Sequence, residues 1–158
     1  MPGTSPKEHP RNPTPMTQRL QMRGDHWEQM RSHVQECEPL EGCGLLFGVD
    51  KAVERVIPVA NAAQSPDRFR MEPAAQVRAF QEMENQGLQL LGIFHSHPSH
   101  AGDRTQVLEG PSETDVREAA YAVVHVIWSH RSGGWRARGF WIEQDKVREV
   151  PLAIAAVQ

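Results

Sequence analysis

Apolar positions recur with helical spacing in three parts of this chain. Residues 25–36 and 73–86 carry apolar side chains three or four positions apart, which predicts two amphipathic helices. The same spacing over residues 112–121 predicts a third, shorter helix. We expect Asp25 to cap the first helix and Gly87 to end the second, because these residue types favour those positions.

Continuous or alternating apolar runs predict β-strands between and after these helices. We expect the strand at 88–97 to be central, and the alternation slips near Gly139, which suggests a β-bulge there. A strand, a helix and another strand follow one another from residue 88 to residue 129, which predicts an α/β domain with a mixed β-sheet flanked by helices. The predicted strands are 43–49, 53–59, 88–97, 122–129, 135–143 and 146–150.

Composition narrows the class of protein. The chain has 158 residues, of which 39% are apolar, so we expect one folded domain with a sizeable core. Residues 1–16 contain five prolines and are expected to be a disordered leader, with the single domain covering 17–158. The net charge of -3 argues against nucleic-acid binding. No run of apolar residues is long enough to predict a membrane-spanning helix.

The two cysteines indicate a reducing environment. Cys37 and Cys43 match no spacing typical of zinc ribbons or redox motifs. We interpret them as small buried thiols, which predicts that the protein is cytoplasmic.

The residues that most clearly indicate a chemical function are two histidines and an aspartate. His95 and His97 end the central predicted strand, and Asp115 lies in the first turn of the next predicted helix. Side chains alternate along a strand, so both imidazoles face the same side, with Cα atoms roughly 6.5–7 Å apart. The end of such a strand and the start of the following helix meet at one crevice. We therefore expect the three side chains to bind one metal ion and leave a fourth position to water, as in catalytic zinc sites.

Each part of this constellation also has an ordinary structural interpretation. The two histidines can simply face solvent at a strand end, and Ser112 with Asp115 can be a helix N-cap with an acidic first turn. The two roles of Ser112 are compatible, because a capping hydroxyl can still face a metal. The remaining histidines are interpreted as groups outside the site: His9, His26, His33 and His100 at the surface, and His125 and His130 as structural or exposed residues.

A hydrolytic metal site also needs a general base. Glu41 lies just before the predicted buried strand at 43–49, and this position makes it a candidate. Glu38 is a nearby competitor, and the spacing along the sequence does not separate the two.

Three motifs in order, Glu-x-Cys-Gly-Leu-Leu, Gly-Ile-x-His-Ser-His-Pro and Pro-Ser-x-x-Asp, resemble the JAMM/MPN+ zinc metalloprotease family, in particular its bacterial and archaeal single-domain branch. The similarity covers roughly residues 20–150 and implies a cytidine-deaminase-like (MPN/JAMM) architecture. It also implies roles for five residues: His95, His97 and Asp115 as zinc ligands, Glu41 as the acid/base, and Ser112 as the group that stabilises the oxyanion.

The resemblance implies a zinc-dependent metallopeptidase or isopeptidase. Its expected substrate is a bond after the C-terminal tail of a ubiquitin-like or sulfur-carrier protein, with no nucleic acid and no membrane as partner. The alternative is a non-catalytic MPN-type interaction module, which the presence of all five matching residues disfavours. A zinc deaminase would need a His-x-Glu motif followed by a Pro-Cys-x-x-Cys motif, and this combination does not occur. A purely structural metal site would make the fold depend on the metal.

The loop between the two metal-binding motifs departs from the family pattern. Residues 99–110 appear as an insertion of several residues relative to most members. Surface loops accept extra length at small entropic cost, so the ligands can still converge. The insertion is a candidate lid or docking loop.

Overall fold

The computed structural model describes residues 19–98, 108–131 and 133–155. Over these ranges the chain forms eight strands and three helices. In chain order they are β1 (Leu20–Arg23), α1 (Gly24–Cys37), β2 (Cys43–Val49), β3 (Ala52–Val59), α2 (Pro73–Asn85), β4 (Gln89–His97), α3 (Glu113–Glu118), β5 (Val123–Arg131), β6 (Gly134–Glu143), β7 (Lys146–Val150) and β8 (Leu152–Ala155).

All eight strands belong to one mixed sheet in the order β7-β6-β5-β4-β2-β3-β1-β8. Strand β4 lies in the middle, antiparallel to β2 and parallel to β5. Strands β7 and β8 stand at the two ends of this order, yet only Pro151 separates them in the sequence. The sheet must therefore curl until its two ends meet, as in a barrel.

Apolar side chains pack on both faces of the sheet. Met30 and Val34 of α1 are fully buried in a cluster with Phe94 on one face. On the opposite face, Met83 of α2 packs in a second cluster with Ile93. Each fully buried side chain of this size stabilises the fold by roughly 1.5–3 kcal/mol relative to an exposed one. The predicted mixed sheet with flanking helices is thus confirmed.

Several element boundaries follow the sequence pattern closely. Strands β2 and β7 have the predicted bounds, and residues 50–51 form the turn that separates β2 from β3. Helix α2 begins at Pro73, with the Glu72 carboxylate accepting hydrogen bonds from the amides of Ala74 and Ala75. Gly87 follows that helix with φ of 74°, a conformation that glycine adopts without strain.

Two helix predictions were wrong in detail. The N-cap of α1 is Arg23, whose backbone N–H donates to Nδ1 of His26 at 3.1 Å, and Asp25 lies within the first turn. His26 is consequently buried, not at the surface as predicted. Helix α3 ends at Glu118 because Ala119 is already extended where the chain turns towards β5.

The prediction of a bulge at Gly139 was also wrong. Strands β5 and β6 pair in continuous register through this position. A Cβ atom on Gly139 would lie 2.7 Å from Cδ2 of Leu152 and 2.8 Å from the carbonyl oxygen of Val150. Glycine is needed here because the side chain of Leu152 and the carbonyl of Val150 leave no space for a Cβ atom. Strands β1 and β8 themselves were not predicted.

Some predicted features lie outside the described residues. They are the leader at 1–16 and most of the inserted loop, of which only 108–110 are described. Within the described ranges, no helix combines the length and apolar character needed to cross a bilayer.

Candidate metal centre

The end of β4 and the start of α3 bring two imidazoles and a carboxylate together. His95 and His97 are both buried, and the Nε2 atoms of their rings lie 3.2 and 3.1 Å from the same oxygen, Oδ2 of Asp115. Strand alternation places both rings on one side, as predicted from their spacing. The parallel pairing of β4 with β5 positions α3 between them, at the carboxyl end of β4.

Asp115 is fixed by the N-terminus of α3. Its amide donates to Oγ of Ser112 at 3.0 Å, and its Oδ2 accepts from the amide of Ser112 at 2.9 Å. Ser112 is therefore the helix N-cap, and this ordinary structural role coexists with a position beside the site. Burial alone would raise the pKa of Asp115, but the charge of His95 and the hydrogen bonds from both histidines and Ser112 outweigh it. The pKa lies well below its usual range.

Glu41 completes a group of four buried side chains. One ligating atom from each of Glu41, His95, His97 and Asp115 lies within 4.8 Å of the others. Glu38, the competing carboxylate in the sequence, lies elsewhere: its Oε1 is 4.0 Å from Nδ1 of His130. The structure therefore brings Glu41, and not Glu38, to the two histidines.

The backbone on both sides of Glu41 is tied to its surroundings. The amide of Gly42 donates to Oγ of Ser96 at 2.8 Å, and the amide of Ser96 donates back to the carbonyl of Gly42 at 3.0 Å. Nδ2 of Asn61 donates to the carbonyl of Glu41 at 3.0 Å. The backbone that carries the Glu41 side chain is thus tied to β4 and to the loop after β3.

Hydrogen-bond directions indicate that a cation fits between these groups. Nδ1 of His97 lies 2.7 Å from the carbonyl oxygen of Leu108, which can only accept, so Nδ1 carries a proton. In the neutral ring, Nε2 then directs a lone pair at the carboxylate oxygen of Asp115. Two acceptors at this distance repel each other unless a proton or a metal ion lies between them. Two imidazoles and a carboxylate are a donor set that suits a divalent metal ion.

Several residues that shape the site were not singled out from the sequence. Ser96 and Asn61 hold the backbone next to Glu41, and the ring of Phe69 stacks on His95 with centroids 4.5 Å apart. Ser96 sits inside the His-Ser-His motif, so its polarity on a buried strand was an available signal. Asn61 and Phe69 lie in a loop whose path the sequence does not reveal.

A cavity of about 300 Å³ adjoins the site and is lined in part by Phe69, Asp115 and His125. His125 is buried on β5, and its ring centroid is 6.5 Å from that of His95. Burial and the charge of His95 lower the pKa of His125 to about 4. The interpretation of His125 as structural or exposed therefore needs refinement, because it is a buried neighbour of the metal centre.

The two cysteines take no part in the four-residue group. Both are free thiols; Cys43 is buried and Cys37 is partly buried. Burial raises the pKa of Cys43 to about 12 and also raises that of Cys37. Neither is therefore a reactive thiolate at neutral pH.

The sequence pattern of the family described as prokaryotic homologs of the JAB domain matches residues 24–142. The chain belongs to this family. The matched range contains Glu41, both histidines of β4, Ser112 and Asp115. The resemblance of the three motifs to the JAMM/MPN+ family is thereby confirmed.

The names of several similar proteins describe activities that are related to one another. A desampylase of Pyrococcus furiosus is 36% identical over 123 residues, which cover 73% of this chain and 76% of the relative. A CysO-cysteine peptidase of Mycobacterium tuberculosis is 30% identical over 142 residues, covering 85% and 90%. A probable TtuB-protein conjugate cleaving protease of Thermus thermophilus is 38% identical over 102 residues, covering 64% of each chain.

Solved structures agree with the JAB-family fold. A solution structure of a Desulfitobacterium hafniense protein matches with a TM-score of 0.74 and 32% identity, covering 87% of this chain and 93% of the other. A JAB1/MPN domain protein from Archaeoglobus fulgidus matches with a TM-score of 0.53 and 19% identity, covering 87% and 96%. The predicted MPN/JAMM architecture is confirmed.

Proposed function

We propose that this chain is a zinc-dependent metallopeptidase or isopeptidase that hydrolyses a peptide or isopeptide bond after the C-terminal tail of a ubiquitin-like or sulfur-carrier protein. The relatives named as a desampylase, a CysO-cysteine peptidase and a TtuB-protein conjugate cleaving protease support this substrate class. The single observation that carries the proposal is the buried group of Glu41, His95, His97 and Asp115 within 4.8 Å.

In this proposal His95, His97 and Asp115 bind the zinc ion. Three protein ligands of this kind would be the number that is typical of catalytic zinc sites. Bound zinc supplies Lewis acidity, which activates water and polarises the scissile carbonyl. For His97 the hydrogen bond to the Leu108 carbonyl holds a proton on Nδ1, which leaves Nε2 as the nitrogen that would bind the ion.

Glu41 and Ser112 supply the remaining chemistry. The Glu41 carboxylate accepts the proton of the attacking water and passes it to the leaving amine. Its backbone is anchored to Ser96 and Asn61, so its position does not depend on the substrate. The hydroxyl of Ser112 accepts the amide of Asp115, and its own hydrogen is available to donate to the oxyanion.

The location of the protein is proposed to be cytoplasmic. Cys37 and Cys43 are both free thiols, as expected in a reducing compartment.

The test is cleavage of the host's ubiquitin-like carriers that bear C-terminal extensions, followed by mass spectrometry with and without a chelator. We expect cleavage at the end of the tail by the zinc-reconstituted protein and none after chelation. Glu41→Gln should retain zinc and fold but lose most of the turnover. Glu38→Gln is the matched control and should remain active, because Glu38 faces His130 instead.

Two results would contradict the proposal. Absence of bound metal after zinc reconstitution would favour the non-catalytic interaction module. Unfolding of the domain on chelation would favour a structural metal site.

A further inference from the structure

We propose that Glu109 is a positioning residue for the metal centre: it anchors the Leu108 carbonyl that orients the His97 imidazole. This inference rests on the proposed metal-binding function. It concerns residues 108–110, the described end of the inserted loop, to which the family resemblance assigns no part in metal binding.

The first step is the contact between His97 and Leu108. Nδ1 of His97 donates to the Leu108 carbonyl at 2.7 Å, while Nε2 faces Asp115 at 3.1 Å. The carbonyl therefore fixes both the tautomer and the rotation of the ring. His95 differs, because among the described residues its buried Nδ1 has no hydrogen-bond partner. The orientation of His97 thus depends on a backbone segment that belongs to neither β4 nor α3.

The second step is what holds this segment in place. The side chain of Leu108 is 43% exposed, so its own packing anchors the carbonyl poorly. The next residue, Glu109, makes two ion pairs: Oε1 lies 3.3 Å from Arg131 Nη1, and Oε2 lies 3.6 Å from Arg138 Nη1. Both carboxylate oxygens are therefore engaged, and they tie the loop to strands β5 and β6.

The third step is that Arg138, one of the two partners of Glu109, is itself held by other groups. Arg138 also pairs with Glu149 on β7 through two hydrogen bonds of 2.9 and 2.7 Å, and its guanidinium lies 5.5 Å from the ring centroid of Phe140. A single exposed ion pair contributes little, but Glu109 and Arg138 each have two partners here, so forming the second contact costs less side-chain entropy. The Glu109 side chain, 26% exposed, sits at the centre of this network.

Groups that hold the second nitrogen of a metal-binding histidine affect metal affinity. Removing such an outer partner weakens binding by about 10–100-fold. Glu109 acts one step further out, through the carbonyl, so we expect the lower end of this range. Zinc binding should therefore be about 10-fold weaker in Glu109→Gln.

The experiment measures the dissociation constant of zinc by competition with a chromophoric chelator. Glu109→Gln is compared with Glu28→Gln, which removes an ion pair between a carboxylate and Arg31 on α1. We expect weaker zinc binding in Glu109→Gln alone, with the thermal unfolding midpoints of the metal-free proteins unchanged. The triple variant Glu109→Gln, Arg131→Gln, Arg138→Gln should bind zinc no more weakly than Glu109→Gln, because all three act through one contact.

A second readout needs no metal. In nitrogen-15 NMR spectra of the metal-free protein, the Nδ1 proton of His97 should exchange with solvent faster in Glu109→Gln than in the wild type. Equal zinc affinity and equal proton exchange in the two proteins would overturn the inference and leave the proposed function intact. Failure of the wild type to bind zinc would instead overturn the proposed function.

Discussion

The rings of Phe69 and His95 stack on each other, with centroids 4.5 Å apart and planes inclined by 24°. Phe69 comes from the loop between β3 and α2, whereas His95 comes from the central strand. The contact therefore joins a loop residue that lines the adjoining cavity to a proposed metal ligand. Because Nδ1 of His95 has no hydrogen-bond partner among the described residues, ring stacking is a main restraint on its rotation.

Replacing Phe69 should therefore disturb both stability and metal binding. We expect Phe69→Ala to lower the free energy of unfolding by at least about 1 kcal/mol, since a ring pair contributes roughly that much beyond area burial. Zinc affinity should fall as well, because the imidazole gains rotational freedom. Urea denaturation and chelator competition measure the two effects. Phe69→Tyr keeps the ring and is the control; equal losses in both variants would argue against stacking.

The charge of Asp115 is expected to decide whether metal binds. Asp115→Asn keeps an oxygen that can accept the Ser112 amide but removes the negative charge. Removing a group that hydrogen-bonds to a metal ligand already lowers metal affinity about 10–100-fold. Removing the charge of Asp115, a proposed direct ligand, should therefore lower zinc affinity at least about 100-fold. Elemental analysis after dialysis gives the zinc content. Glu113→Gln, an exposed acidic neighbour in the same helix, should retain full zinc; loss of zinc there too would indicate a general charge effect.

Ser112 should show two separable effects. Ser112→Ala removes the acceptor for the Asp115 amide, which should lower the free energy of unfolding by about 1 kcal/mol. If the hydroxyl also stabilises the oxyanion, kcat should fall by roughly 100-fold while zinc content stays unchanged. Ser112→Thr retains the hydroxyl and should restore much of both. A stability loss without a change in kcat would leave Ser112 with a capping role only.

His125 should make stability depend on pH. Its pKa is about 4 in the folded protein and about 6.5 in an unfolded chain. Between these values the unfolded state binds more protons, so the free energy of unfolding falls as pH drops from 6.5 to 4. His125→Leu should reduce this fall by roughly 2–3 kcal/mol in the metal-free protein. Urea denaturation at pH 7 and pH 5 tests this; parallel pH curves for the two proteins would contradict it.

Local sequence patterns were enough to predict most of the helices and strands. The apolar run of β2 and the two histidines at the end of β4 obey simple strand alternation, so their positions and common face could be predicted. Asp115 followed from its place in the first turn of the next helix. The convergence of these groups needed only the parallel strand–helix–strand connection between β4 and β5.

Three other features depend on contacts between distant segments that no local sequence pattern indicates. Strands β1 and β8 are four residues each, too short for a periodic signal, and they are defined by pairing with each other. The choice of Glu41 over Glu38 depends on hydrogen bonds from Ser96 and Asn61 to the backbone around Glu41. The support of His97 comes from a backbone carbonyl, which every residue possesses and which no sequence pattern marks.

The closure of the sheet has a consequence for biosynthesis. Strand β1 is among the first described segments to be translated, but its parallel partner β8 is among the last. Leu20, a core residue of β1, pairs with Leu152 of β8. When α3 has been synthesised, β8 has not, so the edge of β1 that binds β8 is still exposed. A chain cut after Val150 would keep every proposed metal ligand, but β1 would become an exposed edge strand, paired only with β3 and prone to aggregation.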